Sequence, residues 1–190
     1  FWDTTTSGMG SSDGGTGRTI TEMLDNTTFI NAGWDFDDVW YSINGITRPF
    51  LRAEWSRNIS NAHQLQLMQM DTSADYALVN DVDVGTEMTD QAGMWATDES
   101  SGQGFVGVGV DDTDTTLAFS GSFDGRDNSV SDLYINTVDG NQGLFGYTVA
   151  GSKIENVMVL DANISAGNKK GALVGLMDGG SVYNCSTSGH

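Results

Sequence analysis

The sequence predicts an all-β fold, a right-handed parallel β-helix (a solenoid) preceded by a small closing module. The main observation is a pair of related segments, Gln142-Gly143-Leu144-Phe145-Gly146 and Lys170-Gly171-Ala172-Leu173-Val174-Gly175. Each leads through a glycine turn into a matching strand, Gly151-Ser152-Lys153-Ile154-Glu155-Asn156-Val157 and Gly180-Ser181-Val182-Tyr183-Asn184-Cys185. Leu144 maps to Leu173 at an offset of 29, and Ile154 to Val182 and Asn156 to Asn184 at 28. One such repeat cannot bury its apolar side alone, so repeats must stack. The second observation is a recurrence of short period-two stretches. The third is turn chemistry, with 25 Gly and a single Pro in 190 residues. An antiparallel sandwich competes, but its strands need not repeat in sequence.

The elements follow in order. After the aromatic pair Phe1-Trp2, the Thr/Ser/Gly/Asp-rich stretch from Thr4 to Arg18 reads as a loop. Thr19-Ile20-Thr21-Glu22 fits a capping box opening a helix of one or two turns. Trp34 and Phe36 alternate with Asp35 and Asp37, as in a half-buried strand that leads to Trp40. Ile46, Phe50 and Leu51 flank Pro49, and the module ends near Trp55. Ser60 is placed as the cap of a short helix over 61–70, with Leu65 and Met68 on one face. Tyr76 to Val79 reads as a strand continuing to Val84. The polar 85–104 stretch is a loop anchored by Met94 and Trp95, and Phe105 to Val110 is a glycine-laced strand. Phe119, Gly121 and Phe123 alternate with Ser120, Ser122 and Asp124, and Leu133 and Ile135 do the same with Tyr134 and Asn136. The repeats then take over.

Lys and Arg number 8 against 26 Asp and Glu, a formal net charge of −18. Nucleic acid and anionic membrane both ask for a basic face, so neither is expected as a partner. The excess of acid suits high-salt surroundings or divalent cations, and serves solubility in any case. Cys185 is alone, so no disulfide forms within the chain, and its alternating strand suggests a small core residue or a buried face. No run of 18 apolar residues spans a membrane. A chain opening at Phe1 rather than Met is expected to be a processed piece of something longer.

Gly143-Leu144-Phe145-Gly146 and Gly171-Ala172-Leu173-Val174-Gly175 resemble the GLUG-type repeats of large bacterial surface adhesins, which are similar to filamentous haemagglutinin. Tyr76 to Asp83, Phe119 to Gly125 and Leu133 to Ile135 resemble the opening coils of such β-helices. Phe1 to Gly8, Thr16 to Met23, Gly33 to Phe36 and Pro49 to Trp55 look like the module that closes one β-helical block. The resemblance implies a closing module over 1–57 and a β-helix with its repeats over 58–190, a slice across a boundary in a tandem array. It also implies an extracellular or bacterial cell-surface location.

The chemistry-bearing residues are few. His63 and His190 lack metal-ligand spacing with Cys185. No G-x-S-x-G elbow exists, and the glycines at 8, 10, 14, 15 and 17 neither follow a strand nor open a long helix. Carboxylates remain. Asp81 and Asp83, or Asp111, Asp112 and Asp114, are the candidates to flank a sugar or hold calcium. The 111–114 turn is the candidate calcium site, against the alternative that Asp-rich turns bond their own backbone. Asn156 and Asn184 are expected to stack at equivalent turns and bond backbone groups. Trp34, Phe36 and Trp40 read as the core of a small module, with a sugar-stacking platform as the alternative.

These readings converge on a noncatalytic segment of a surface adhesin or extracellular filament, a stiff rod that mediates adhesion or assembly. The partners expected are further repeats of the same chain, identical subunits end to end, or surface glycans. The last repeat, around Leu173, Val182 and Cys185, is expected to need such a cover. The alternative is a β-helical carbohydrate-active enzyme, a polysaccharide lyase or hydrolase.

Overall fold

The computed structural model describes residues 1–98, 101–109, 113–137, 140–165, 167 and 169–189. The chain forms two compact units, 1–53 with 87–102 and 54–86 with 103–190. The sequence boundary at 57 misses that 87–102 joins the first unit. That segment holds the fully buried Trp95 and the buried Met94, whose carbonyl accepts the Arg48 N–H at 2.7 Å.

In the first unit, β1 (Trp2–Asp3) pairs in parallel with β2 (Gly17–Arg18). Asp3 caps α1 (Thr4–Ser7), accepting Thr5 N–H at 2.7 Å and Thr6 N–H at 3.3 Å through Oδ1. The Thr19 capping box opens α2 (Ile20–Leu24): Glu22 N–H donates to the Thr19 hydroxyl, and the Glu22 carboxylate accepts Thr19 N–H at 2.9 Å. Asp25 then caps α3 (Asn26–Ile30). An antiparallel hairpin follows, β3 (Trp40–Tyr41) with β4 (Phe50–Leu51). The strand expected at Trp34–Phe36 is a turn. Asp35 Oδ1 accepts the N–H groups of Asp37 and Asp38, each at 2.9 Å, and this local bonding displaces the period-two pattern.

The second unit starts with β5 (Asn58–Ile59) and α4 (Ala62–Leu67). The cap of α4 is Asn61, whose Oδ1 accepts Gln64 N–H at 2.9 Å. Ser60, expected as the cap, instead gives its N–H to Gln64 Oε1 at 2.8 Å. The helix tightens into a 3-10 turn over Met68–Met70. Then come β6 (Tyr76–Leu78) and β7 (Val82–Asp83). A short helix α5 (Gly85–Met88) crosses into the segment that belongs to the first unit. The remaining strands are β8 (Ser122–Ser131), β9 (Tyr134–Ile135), β10 (Asn141–Gln142), β11 (Phe145–Val149), β12 (Lys153–Ile164), β13 (Lys169–Lys170), β14 (Val174–Asp178), β15 (Ser181–Tyr183) and β16 (Ser186–Gly189).

The largest sheet runs β15-β12-β8-β6-β5, with β16 and β9 also on β12 and β7 also on β8. Its pairs are parallel. Ile154 sits opposite Val182 on one side and Phe123 on the other. In a second sheet Phe145 pairs with Val174, and a third joins Asn141 to Lys169. The repeat offset is therefore the spacing of hydrogen-bonded neighbours. The core between these strands holds Phe119, Phe123, Phe145, Leu133, Ile135 and Leu144, all fully buried. Phe145 meets Phe119 at 4.6 Å and Phe123 at 5.2 Å between ring centroids.

The fold class nevertheless departs from the sequence expectation. The chain is mixed, 17% helical and 36% strand, in several small sheets, and an all-β right-handed parallel β-helix does not describe it. Helices and an antiparallel hairpin build much of the first unit. In the second, the segment before β8 contributes single bridges where strands were expected. Phe105 to Gly109 makes one parallel bridge, Val108 to Phe145, rather than a ladder. Phe105 N–H donates to the Tyr134 carbonyl at 2.9 Å, and Val106, Gly107 and Gly109 bond side chains. Buried Gln66 spans Val106 as a strand would, donating Nε2 to its carbonyl at 2.9 Å and accepting its N–H at 3.0 Å. Gln69 adds donors to the carbonyls of Val106 and Gly107.

Close packing of neighbouring segments explains two glycines. A Cβ on Gly107 would lie 2.5 Å from the Gly143 carbonyl oxygen, and one on Gly143 would lie 2.4 Å from that of Gly171. Neither site has room for a side chain.

Candidate functional site

Among the described residues, those singled out from the sequence do not converge. Asp111 and Asp112 lie outside the described residues. Asp114 is exposed and bonds its own turn, accepting Thr116 N–H at 3.0 Å and the Thr116 hydroxyl at 2.6 Å. Among the described residues no group of three or more His, Cys, Asp or Glu side chains is placed to hold a metal. Asp81 and Asp83 are both exposed but serve different neighbours. Asp81 Oδ1 accepts the N–H and hydroxyl of Ser129 at 2.8 and 3.0 Å, tying β8 to the turn before β7. Asp83 Oδ1 accepts Gly85 N–H at 2.8 Å. His63 Nδ1 lies 2.7 Å from Glu54 Oε2, and His190 is outside the described residues.

The aromatic cluster lies in the first unit and packs on itself. Trp34 lies 4.3 Å from Trp40 and 4.9 Å from buried Phe29 between ring centroids. With neighbours at both distances, its rings serve the small unit's own core.

Asn156 and Asn184 do stack, in left-handed backbone with φ of 53° and 50°. Their bonds run through side chains rather than to the backbone. Asn184 Nδ2 donates to Asn156 Oδ1 at 2.8 Å, and Asn156 Nδ2 donates to Asp124 Oδ1 at 3.0 Å. A second bond from Asn184 Nδ2 reaches Asp127 Oδ1 at 3.4 Å. The Asn156 bond and the Arg126 N–H hold the Asp124 carboxyl below its ordinary range. This ladder crosses β8, β12 and the turn after β15. Asp124 was missed in the sequence because it has no counterpart in the repeats that reveal the two asparagines.

The most distinctive surface is the outer layer β13 to β16. Its strands pair with β10, β11 and β12, and among the described residues no strand pairs on their other side. Leu173 is buried, whereas Met177 and Val182 are 43% exposed and Tyr183 is 70% exposed. Leu144 and Ile154, their inner-layer counterparts, are covered. Cys185 is half-buried here rather than a core residue, with Sγ 3.2 Å from the Tyr183 carbonyl. A shallow depression of about 360 Å³ opens elsewhere on this layer, lined by Ala162, Ile164, Lys170, Gly171, Thr187 and Gly189. The layer thus presents an unpaired sheet edge with apolar side chains, chemistry suited to adding a strand or a subunit.

No helix among the described residues is long and apolar enough to cross a membrane. No family model matches the chain, and no solved structure matches it. Over 98 residues, half of its length, the chain is 36% identical to halomucin of Haloquadratum walsbyi, and it spans about 1% of that protein.

Proposed function

We propose that this chain is a noncatalytic structural segment of a surface-displayed or extracellular protein, and that its outer layer mediates assembly. The partial likeness to halomucin fits a surface or extracellular setting. The observation that carries the assembly reading is the layer β13 to β16, paired on one side among the described residues and exposing Met177, Val182 and Tyr183. Its occupant is a second copy of the chain or a further repeat of the same spacing, in keeping with the adhesin resemblance. Contacts of this kind are individually weak and gain strength by repetition.

Sedimentation velocity across a concentration series tests the proposal. The chain is expected to associate reversibly, and Val182→Lys with Tyr183→Lys is expected to leave it monomeric, because edge charges block strand addition. A strictly monomeric wild type at high concentration would remove the assembly role. Turnover of a polysaccharide by the pure protein, lost on Asp81→Asn or Asp83→Asn, would replace it with the enzyme reading.

A further inference from the structure

Four Asn-x-Ser/Thr triplets occur in the chain: Asn26-Thr27-Thr28, Asn58-Ile59-Ser60, Asn163-Ile164-Ser165 and Asn184-Cys185-Ser186. This is the acceptor pattern for N-linked glycans. A chain rich in Asn, Ser and Thr contains such triplets by chance, so their surroundings must discriminate among them.

Three of the four are compromised. Asn26 is half-buried at the start of α3, and its Oδ1 accepts the Ser42 hydroxyl. Asn163 is half-buried within β12, and the hydroxyl of Ser165 is committed to Asn136 Oδ1 at 2.8 Å. Asn184 is exposed, but its Nδ2 is the donor of the ladder, bonding Asn156 and Asp127. A glycan there would require those bonds to break.

Asn58 differs in its own exposure and in the freedom of its own carboxamide. It is exposed, and no hydrogen bond among the described residues holds its carboxamide. Ile59 beside it is fully buried, so strand alternation turns Asn58 outward. The hydroxyl of Ser60, two residues on, is exposed and bonds Gln64 Oε1 at 2.9 Å across the surface, where water competes. Asn58 also lies on β5, the last strand of the sheet path, which pairs only with β6.

We infer that Asn58 is an N-glycosylation acceptor, an inference that rests on the surface-displayed reading. In the reaction, the Asn58 amide nitrogen attacks the anomeric carbon of a glycan carried on a polyprenyl phosphate or diphosphate. The N–C bond forms as the C–O bond to phosphate breaks. The lipid phosphate leaves with the electron pair, and the amide proton passes to a base of the transferase. The attached glycan screens the open side of β5. Association between copies is then directed to the opposite end of the sheet, at β15 and β16.

The test uses the purified, folded full chain with an oligosaccharyltransferase and a polyprenyl-diphosphate oligosaccharide, read by intact mass and peptide mapping. One glycan is expected, on Asn58. Asn58→Gln and Ser60→Ala each abolish it, and Ser60→Thr retains it. Occupancy at Asn58 is expected to exceed that at Asn184 by roughly tenfold or more, since Asn184 must first give up two hydrogen bonds. An unmodified Asn58 beside a modified control acceptor overturns the inference, and so does equal or greater occupancy at Asn184. The reaction uses pure protein, so its outcome is independent of cellular location. Surface labelling of whole cells tests location separately.

Discussion

Asp3→Asn is the most informative single change in the first unit. Asp3 Oδ2 meets Arg48 Nη2 at 2.5 Å, and both side chains are nearly covered, at 5% and 12% exposure. The same Nη2 donates to the Gln91 carbonyl at 2.7 Å, so the pair ties β1 to the residues before β4 and to the 87–102 segment. Asparagine keeps an oxygen for the Thr5 and Thr6 N–H groups, so the cap of α1 survives and only the charge is lost. Removing one partner of a covered ion pair costs about 3–5 kcal/mol, and the retained cap puts this variant near the lower figure. Asp3→Ala also loses the cap, worth about 1 kcal/mol more. In the double variant Asp3→Asn with Arg48→Met, the loss is expected to fall short of the sum of the single losses by about 1–3 kcal/mol. Denaturant unfolding followed by tryptophan fluorescence reads this directly, because Trp2, Trp34, Trp40 and Trp95 lie in the first unit and Trp55 in the second. The pH dependence gives a second readout. Burial raises the Asp3 carboxyl, but the Arg48 bond and the two N–H groups outweigh it and leave it below its ordinary 3.8. A depressed carboxylate contributes stability in full above its unfolded value and loses it as pH falls through the folded one. The wild type should therefore weaken below about pH 3.8, and the asparagine variant should show less of that loss. Additive single losses, with an unchanged acid limb, would show that the pair contributes no coupling.

Other expectations follow from the second unit and from charge. Ile154→Ala empties a buried site and should cost about 2–5 kcal/mol, whereas Val182→Ala, at the equivalent but 43% exposed position, should cost under about 1 kcal/mol, measured by the same unfolding assay. Gly143→Ala forces a Cβ against the Gly171 carbonyl and should destabilise by about 1–3 kcal/mol, and a neutral result would mean that these segments are spaced more widely than described here. With a net charge of −18, thermal stability should rise as NaCl screens self-repulsion between about 0.01 and 1 M, and a flat or falling melting temperature would contradict this.

The repeat was legible because the residues at matching offsets are neighbours, as Ile154 and Val182 show. The capping box at Thr19 was legible because its bonds are local. The fold class was not, for reasons specific to certain segments. Asp35 folds Trp34 to Phe36 into a turn that period-two counting cannot see. Phe105 to Gly109 reads as a strand, but two glutamines some forty residues away take part of its backbone in place of a ladder, and no local pattern announces side chains acting as a strand. Of the candidate calcium aspartates, Asp114 bonds its own turn, and Asp111 and Asp112 lie outside the described residues. Asp3 and Arg48 are separated by 45 residues and belong to no motif, so only the folded chain brings them together.

The Gly107–Gly143–Gly171 row constrains how such a chain can change length. Gly107 and Gly143 each face a carbonyl of the next segment at a separation that excludes a methyl group, and Gly171 faces the Val174 carbonyl of its own segment. Inserting or deleting one residue within β12 would shift Ile154 away from Val182 and turn the following side chains to the other face. The offset between paired segments changes by one only between strands, from 28 at Gln142 to 29 at Phe145 and back to 28 at Ile154, so single-residue changes are tolerated between strands and not within them. Duplication or loss of an entire repeat keeps every contact of this kind, so lineages of the chain should differ by complete repeats far more often than by single residues within them.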